Sequence, residues 1–265
     1  MRTRYFVLCA VMTLIPIFAG AQVTEEDLEN DFGARVNLSL DKRIVKGFHV
    51  IADAEGRLSD DFKTFGRYQA GIGLTYKAYD FLKFGVGYTF IEKKNNSGVW
   101  KPRHRAYGDM TLTLKAGIWR FSLKERIQLT HMDVGNRFQK VPNAVELKSR
   151  VKVAFKPSAY FEPYAYFELR TRFNDPACTA TWSTTSMSYS DYSFKGYTDA
   201  YNNRFRGALG TVYNFDSNHS LDFFLLGDYC HEKNIDTNAE GTTLKSLTYK
   251  RNLNFSLGIG YTFSF

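Results

Sequence analysis

The sequence predicts an all-β protein, a transmembrane antiparallel up-and-down β-barrel, on three observations: long segments that alternate with period two, a hydropathy too low for helical spans, and an aromatic C-terminus. The chain has 265 residues, of which 16% are aromatic, with 23 Phe and 17 Tyr. Its mean hydropathy is −0.34. A helical membrane protein needs repeated runs of about 20 apolar residues, which that hydropathy excludes. Strands that bury one face give the observed mixture of polar and aromatic residues. The closing segment, 252–265, shows the pattern most plainly. Leu253, Phe255, Leu257, Ile259, Tyr261, Phe263 and Phe265 fall on one face, and Asn254, Ser256, Gly258, Gly260, Thr262 and Ser264 on the other.

Arg2 and Arg4 precede an apolar run, 5–18, and Ala19-Gly20-Ala21 stands before Gln22. This reads as a secretory signal, 1–21, cleaved after Ala21. Cleavage takes the formal charge from +8 to about +6. Cys9 lies inside the apolar run and not at the cleavage point, so no lipid anchor is expected. Residues 22–31 form an acidic N-terminal leader, and 32–265 a single barrel domain.

Eleven amphipathic segments follow in order. The first, 32–40, carries Phe32, Ala34, Val36, Leu38 and Leu40 on its apolar face, and the second is 48–58. The third and fourth, 68–78 and 82–90, meet at a tight turn; the fifth and sixth, 105–116 and 119–130, meet at Gly117-Ile118. The seventh to tenth are 145–155, 164–172, 204–215 and 221–229, and the eleventh is the closing segment. Such lengths suit a tilted membrane-crossing strand of about 9–11 residues, whereas strands in globular proteins have about 5–6. An open strand edge in hydrocarbon would leave backbone groups unpaired, so the strands must close on themselves.

The connections at 92–102, 131–144, 173–203 and 230–247 are long and share one end; those after the third, fifth, seventh and ninth segments are short. Outer-membrane barrels of Gram-negative bacteria have short periplasmic turns and long external loops, which places Phe265 in the periplasm. Tyr261, Phe263 and Phe265 then match a C-terminal insertion signal for the barrel-assembly machinery. Bacterial single-chain barrels have even strand numbers. The expectation is therefore twelve strands, within a range of ten to twelve, with the leader adding a short strand or threading up the lumen.

Three stretches, 70–76, 84–90 and 257–263, share a Gly-x-Gly-x-Thr core with the glycines on the non-apolar face. A nucleotide loop needs a strand-to-helix junction, so these glycines are read as making room inside a narrow barrel. Asp31-Phe32-Gly33, the strand 67–77, Phe84-Gly85-Val86-Gly87-Tyr88 and Arg103-x-Arg105 resemble an uncharacterised family of outer-membrane barrel proteins, a domain of unknown function found mainly in Bacteroidetes. The resemblance implies a location and a fold, and carries over no catalytic residue.

Arg35, Arg57, Arg67, Lys77, Lys115, Lys124, Arg126, Arg150, Lys152, Arg170 and Arg206 fall in the inward phase as a basic lumen lining. Lys83, Arg105, Lys148, Arg172 and Arg204 share that phase. Against them stand Asp41, Asp53, Glu55, Asp109, Glu146, Glu168, Asp222 and Asp228. A net positive lumen favours anions, so the expected function is a porin-like passive channel for small anionic solutes. The alternative is a closed structural or binding barrel, its charges paired across the lumen, acting through its long external loops. The other expected partners are outer-membrane lipid and lipopolysaccharide phosphates; the dispersed charge argues against nucleic acid.

An outer-membrane hydrolase is the less favoured class. His131 with Asp133, and Asp228 with His231, have spacings that allow proton transfer, but no nucleophile is identifiable. No Cys/His cluster has metal-ligand spacing, and no cofactor is expected. Cys178 and Cys230 fall on the same external side, which leaves a disulfide open. Glu125, between outward-phase Leu123 and Ile127, predicts a bulge, a contact between protomers or a screening partner. Aromatic girdles are expected at Trp119, Phe155, Tyr160, Phe161, Tyr213, Phe215, Phe263 and Phe265 on the short-turn side. Trp100, Phe138, Phe173, Tyr201 and Tyr229 are expected to form the outer girdle.

Overall fold

The computed structural model describes residues 24–95 and 97–265, so the signal segment and the start of the leader lie outside the described residues. Eleven strands close into one barrel: β1 (Thr24–Val45), β2 (Phe48–Ser59), β3 (Thr64–Tyr79), β4 (Leu82–Lys94), β5 (Trp100–Ala116), β6 (Trp119–Met132), β7 (Asn143–Phe155), β8 (Phe161–Asp175), β11 (Asp199–Asn214), β12 (His219–Thr237) and β13 (Leu244–Ser264). Two more, β9 (Cys178–Ser183) and β10 (Ser188–Phe194), pair with each other in the connection between β8 and β11. Each amphipathic segment of the sequence is one barrel strand.

The expected twelfth strand is corrected to eleven. Residues 24–31 neither add a strand nor thread the interior; they lengthen β1. An odd number of up-and-down strands leaves the first and last running the same way. The barrel therefore closes through a parallel pair, β1 on β13, from Thr24↔Thr248 to Asp41↔Ser264. Phe265 completes this seam: its N–H donates to Asp41 O at 2.9 Å, and its carbonyl accepts from Arg43 N at 2.8 Å.

Strands run beyond their amphipathic segments at the long-connection end, with β12 reaching Thr237 and β13 starting at Leu244. There neither face is uniformly apolar, so the period-two signal fades while backbone pairing continues. Asn238 Oδ1 closes that turn by accepting from Thr242 N at 2.8 Å and Thr243 N at 3.0 Å. Phe138 packs onto Gly241 (φ +68°) and meets Phe194 edge-on at 5.3 Å. Asn136 and Gln139 reach across to Thr237, Asn238 and Asp236, and Tyr197 donates to Arg137 O at 2.9 Å. Three connections are thereby locked into one cluster. Phe138 belongs to it and not to the outer girdle. Tyr201 also departs from expectation: it is buried, its hydroxyl donating to Asp175 and accepting from Lys233 N.

The Asp31-Phe32-Gly33 motif has an architectural task. It backs the β2–β3 turn, where Asp60, Asp61 and Phe62 hold φ of 57°, 50° and 68°. Three successive left-handed residues are unfavourable for side chains with a Cβ. Asp31 Oδ1 accepts from Asp61 N at 3.2 Å, and Phe32 O from Phe62 N at 3.3 Å. A Cβ on Gly33 would collide with the Leu58 carbonyl oxygen.

The outward face is apolar and exposed: Ile72, Val86, Leu114, Leu209 and Leu257 all show more than half their surface, at 56, 58, 68, 64 and 58%. Aromatic pairs bound this band. Trp119–Phe155 (4.9 Å), Tyr213–Phe215 (5.0 Å) and Phe263–Phe265 (5.0 Å) lie at the short-turn end, and Tyr68–Trp100 (5.3 Å) and Phe205–Tyr229 (6.3 Å) at the other.

Candidate functional site

The interior is built from residues that alternate with that outward band. Register is unbroken through β4–β5, β5–β6, β6–β7 and β7–β8, so period-two reasoning places side chains correctly there. The glycine pairs do make room. Tyr107 lies across β3 and β4 with its hydroxyl 2.8 Å from where a Cβ on Gly73 would sit, and closer still at Gly87. Phe224 fills the space at Gly258, and Tyr164 that at Gly210.

On these rings rest cations. Arg126 stacks over Tyr107 at 3.9 Å, Arg150 over Tyr166 at 4.4 Å, and Lys152 over Tyr164 at 3.8 Å. Two carboxylates fix the first two laterally. Asp109 Oδ2 accepts from Arg126 at 2.5 and 3.1 Å and lies 3.1 Å from Lys124 Nζ. Glu168 Oε2 accepts from Arg150 Nε and Nη2 at 2.8 and 2.5 Å. A cavity of about 110 Å³ opens between Lys124, Arg126, Lys148, Arg150 and Glu168. Lys148 lines it, and among the described residues no carboxylate lies within 4 Å of its Nζ. Sequence reasoning put Lys148 in the inward phase but could not tell that it, unlike its neighbours, lacks a close counter-charge.

Burial separates the two signs. Lys124, Arg126 and Arg150 keep 32, 27 and 35% of their side chains exposed, while Asp109 and Glu168 keep 4% each. The acids lie against the wall and the cations face the open interior.

Toward the long-connection end the pairing is denser. Asp228 meets Arg206 at 2.8 Å, Arg204 at 3.3 Å and Arg35 at 3.7 Å. Glu146 holds Arg172 at 3.0 Å and Arg170 at 3.5 Å, and accepts from Gln128 at 2.6 Å. Arg170 also reaches Glu232 at 3.1 Å, and Arg57 pairs with Glu55. Two residues of the expected lining sit elsewhere: Lys77 pairs with Asp80 in the β3–β4 turn at 2.6 Å, and Lys115 is exposed beside the β5–β6 turn. A strand's last inward position lies at the rim and not inside.

The candidate acid–base pairs are not brought together. His131 bonds Asn143 at 2.7 Å, while Asp133 faces Lys101 at 3.8 Å. Asp228 is clamped inside by arginines, and His231 stacks on Tyr249 at 4.4 Å. The possible disulfide is also corrected: Cys178 and Cys230 are both free thiols. Cys230 faces inward, its sulfur 3.1 Å from Arg204 Nε, whereas Cys178 starts the separate β9–β10 hairpin.

A family model for proteins of unknown function, DUF2490, matches residues 32–239. The chain belongs to that family. The DUF2490 match runs from Phe32 of the turn-backing motif to just past the end of β12. No curated protein matches the chain in sequence. Among solved structures, the NanC porin is similar with a TM-score of 0.44 and 14% identity, over 87% of this chain and 96% of that one. The outer-membrane expressed OmpT of Vibrio cholerae is similar with a TM-score of 0.31 and 12% identity, over 76% of this chain and 60% of that one.

Proposed function

We propose that this DUF2490 member is an outer-membrane barrel that serves as a passive, non-catalytic channel for small anionic solutes. The carrying observation is the radial separation of charge around the cavity, with carboxylates buried at the wall and cation heads turned to the interior. A solute inside would meet positive potential, focused by the low-dielectric wall.

A membrane location is supported by the outward apolar face, far larger than any patch a soluble protein leaves exposed. Its height fits as well. From Phe205 to Phe215 is ten residue steps, about 33 Å of strand, and a tilt of about 40° reduces this to roughly 25 Å, the height of the apolar band of such barrels. The long connections then face outward and Phe265 the periplasm, with the barrel-assembly machinery as the partner that inserts it.

Planar-bilayer recording on the refolded barrel under a salt gradient tests this reading. The expected result is a steady current whose reversal potential shows anion preference, weakened in Lys148→Gln. A folded, heat-resistant barrel that carries no current overturns the channel. It would favour the second reading, a closed barrel acting through its external connections, which the locked cluster of Asn136, Gln139 and Tyr197 supports.

A further inference from the structure

The inward faces of β3, β4 and β5 carry almost no negative charge. Asp109 is their one inward acid among the described residues, and it is held by Lys124 and Arg126 of β6. In the outer half of the same wall stand Arg67, Lys93, Arg103 and Arg105. No carboxylate among the described residues comes within 4 Å of any of the four. Arg67 donates to Gln69 at 2.5 Å and Arg105 to Thr130 at 3.0 Å, and Arg67 Nε is buried without an acceptor. The acids of this level, Glu55, Glu146, Asp228 and Glu232, stand on β2, β7 and β12 and are already shared among Arg35, Arg57, Arg170, Arg172, Arg204 and Arg206.

Spacing gives this wall a preference. Arg67 and Lys93 are direct cross-strand partners, so their backbones lie about 5 Å apart. Lys93 pairs with Lys101, which makes Arg103 its diagonal neighbour at about 7–8 Å. Arg105 follows Arg103 on the same face after about 7 Å. One monovalent ion engages only one or two such heads. A linear anion that carries several negative groups in a row would engage three or four of them, because long, flexible Arg and Lys side chains can converge on groups closer together than their backbones. The cavity at Lys124, Lys148 and Arg150 continues the positive lining deeper, on β6 and β7.

We infer that the Arg67–Lys93–Arg103–Arg105 wall is a binding site for a linear, multivalent anion, a short chain of phosphate or carboxylate groups. The inference rests on the reading that solutes reach the interior from the long-connection end. It does not require that they pass through.

Calorimetric titration of the refolded barrel in neutral detergent, with tripolyphosphate in one arm and a galacturonate trimer in the other, tests it apart from conductance. At least one arm should bind far more tightly than chloride, and the arm that binds names the source of the anionic groups. Arg67→Gln with Arg103→Gln should weaken that binding on the order of tenfold per cation and flatten its salt dependence, while Lys115→Gln at the opposite rim leaves it unchanged. Neither substituted arginine holds a carboxylate, and unchanged heat-resistant mobility on gels verifies folding. Absence of binding in both arms, or wild-type affinity in a folded double variant, overturns the inference. Binding without current would remove the channel and leave the site; anion-selective current without binding would do the reverse.

Discussion

Ser149 donates a 2.6 Å hydrogen bond to Glu125 across β6 and β7, on the outward apolar face of the barrel. Both strand pairings of β6 are free of bulges at this point. Of the three devices expected to accommodate this carboxylate, the structure uses a screening partner. Ser149→Ala should destabilise the barrel by about 1–3 kcal/mol, because it leaves a charged acceptor without its donor. Glu125→Leu should stabilise it, since an acid facing lipid is unfavourable. Urea midpoints of the two variants in lipid vesicles should move in opposite directions; a shift of both the same way would put Glu125 outside the hydrocarbon.

The two free thiols differ in surroundings. Cys178 is half-buried in the outer hairpin, and Cys230 is buried beside Arg204. A maleimide reagent should add once to the folded chain lacking residues 1–21 and twice after its denaturation, as read by intact mass. Zero additions to denatured, non-reduced protein would show a bond between them.

Gly87 controls the cavity from a distance. A Cβ there would strike the ring of Tyr107, the shelf on which Arg126 lies. Gly87→Ala should therefore cost about 1–3 kcal/mol through overpacking, and should alter anion preference by displacing Arg126. A variant that loses stability yet keeps the wild-type reversal potential would detach the glycine from the cavity.

The barrel was legible in the sequence because one rule governs the membrane-height part of every strand: outward residues are apolar, and inward ones are mostly small, polar or charged, with a few rings such as Tyr107 and Phe224 packed over glycines. The eleven segments and the inward placement of Arg126 and Arg150 follow from that period alone. The outer strand extensions did not, because Ile235 or Lys245 stand where neither face is uniformly apolar. The closing pair was hidden for another reason. A parallel β1–β13 seam has the same alternation as an antiparallel one, so parity had to be assumed and twelve was the wrong assumption. Within the site, sequence phase could say that Asp109 and Lys124 point inward but not that the acid would be buried and the lysine exposed. That outcome depends on side-chain length: the short carboxylates stay at the wall, and the long cations reach past them.

The same length argument makes Asp228 the residue on which the outer half of the interior depends most. Its carboxylate faces Arg206, Arg204 and Arg35 within 4 Å, and it keeps 4% of its side chain exposed. Water cannot replace it there. In Asp228→Asn the shape is retained while three guanidinium groups lose their common counter-charge, and removal of one partner from a buried ionic cluster costs about 3–5 kcal/mol. Arg35→Gln removes one cation of three, at the longest of these distances, and should cost much less. The order Asp228→Asn well below Arg35→Gln in urea midpoint is the expected result. Equal midpoints would mean that water or anions from solution already neutralise this cluster, which would place the open path along β12 and away from the β3–β5 wall.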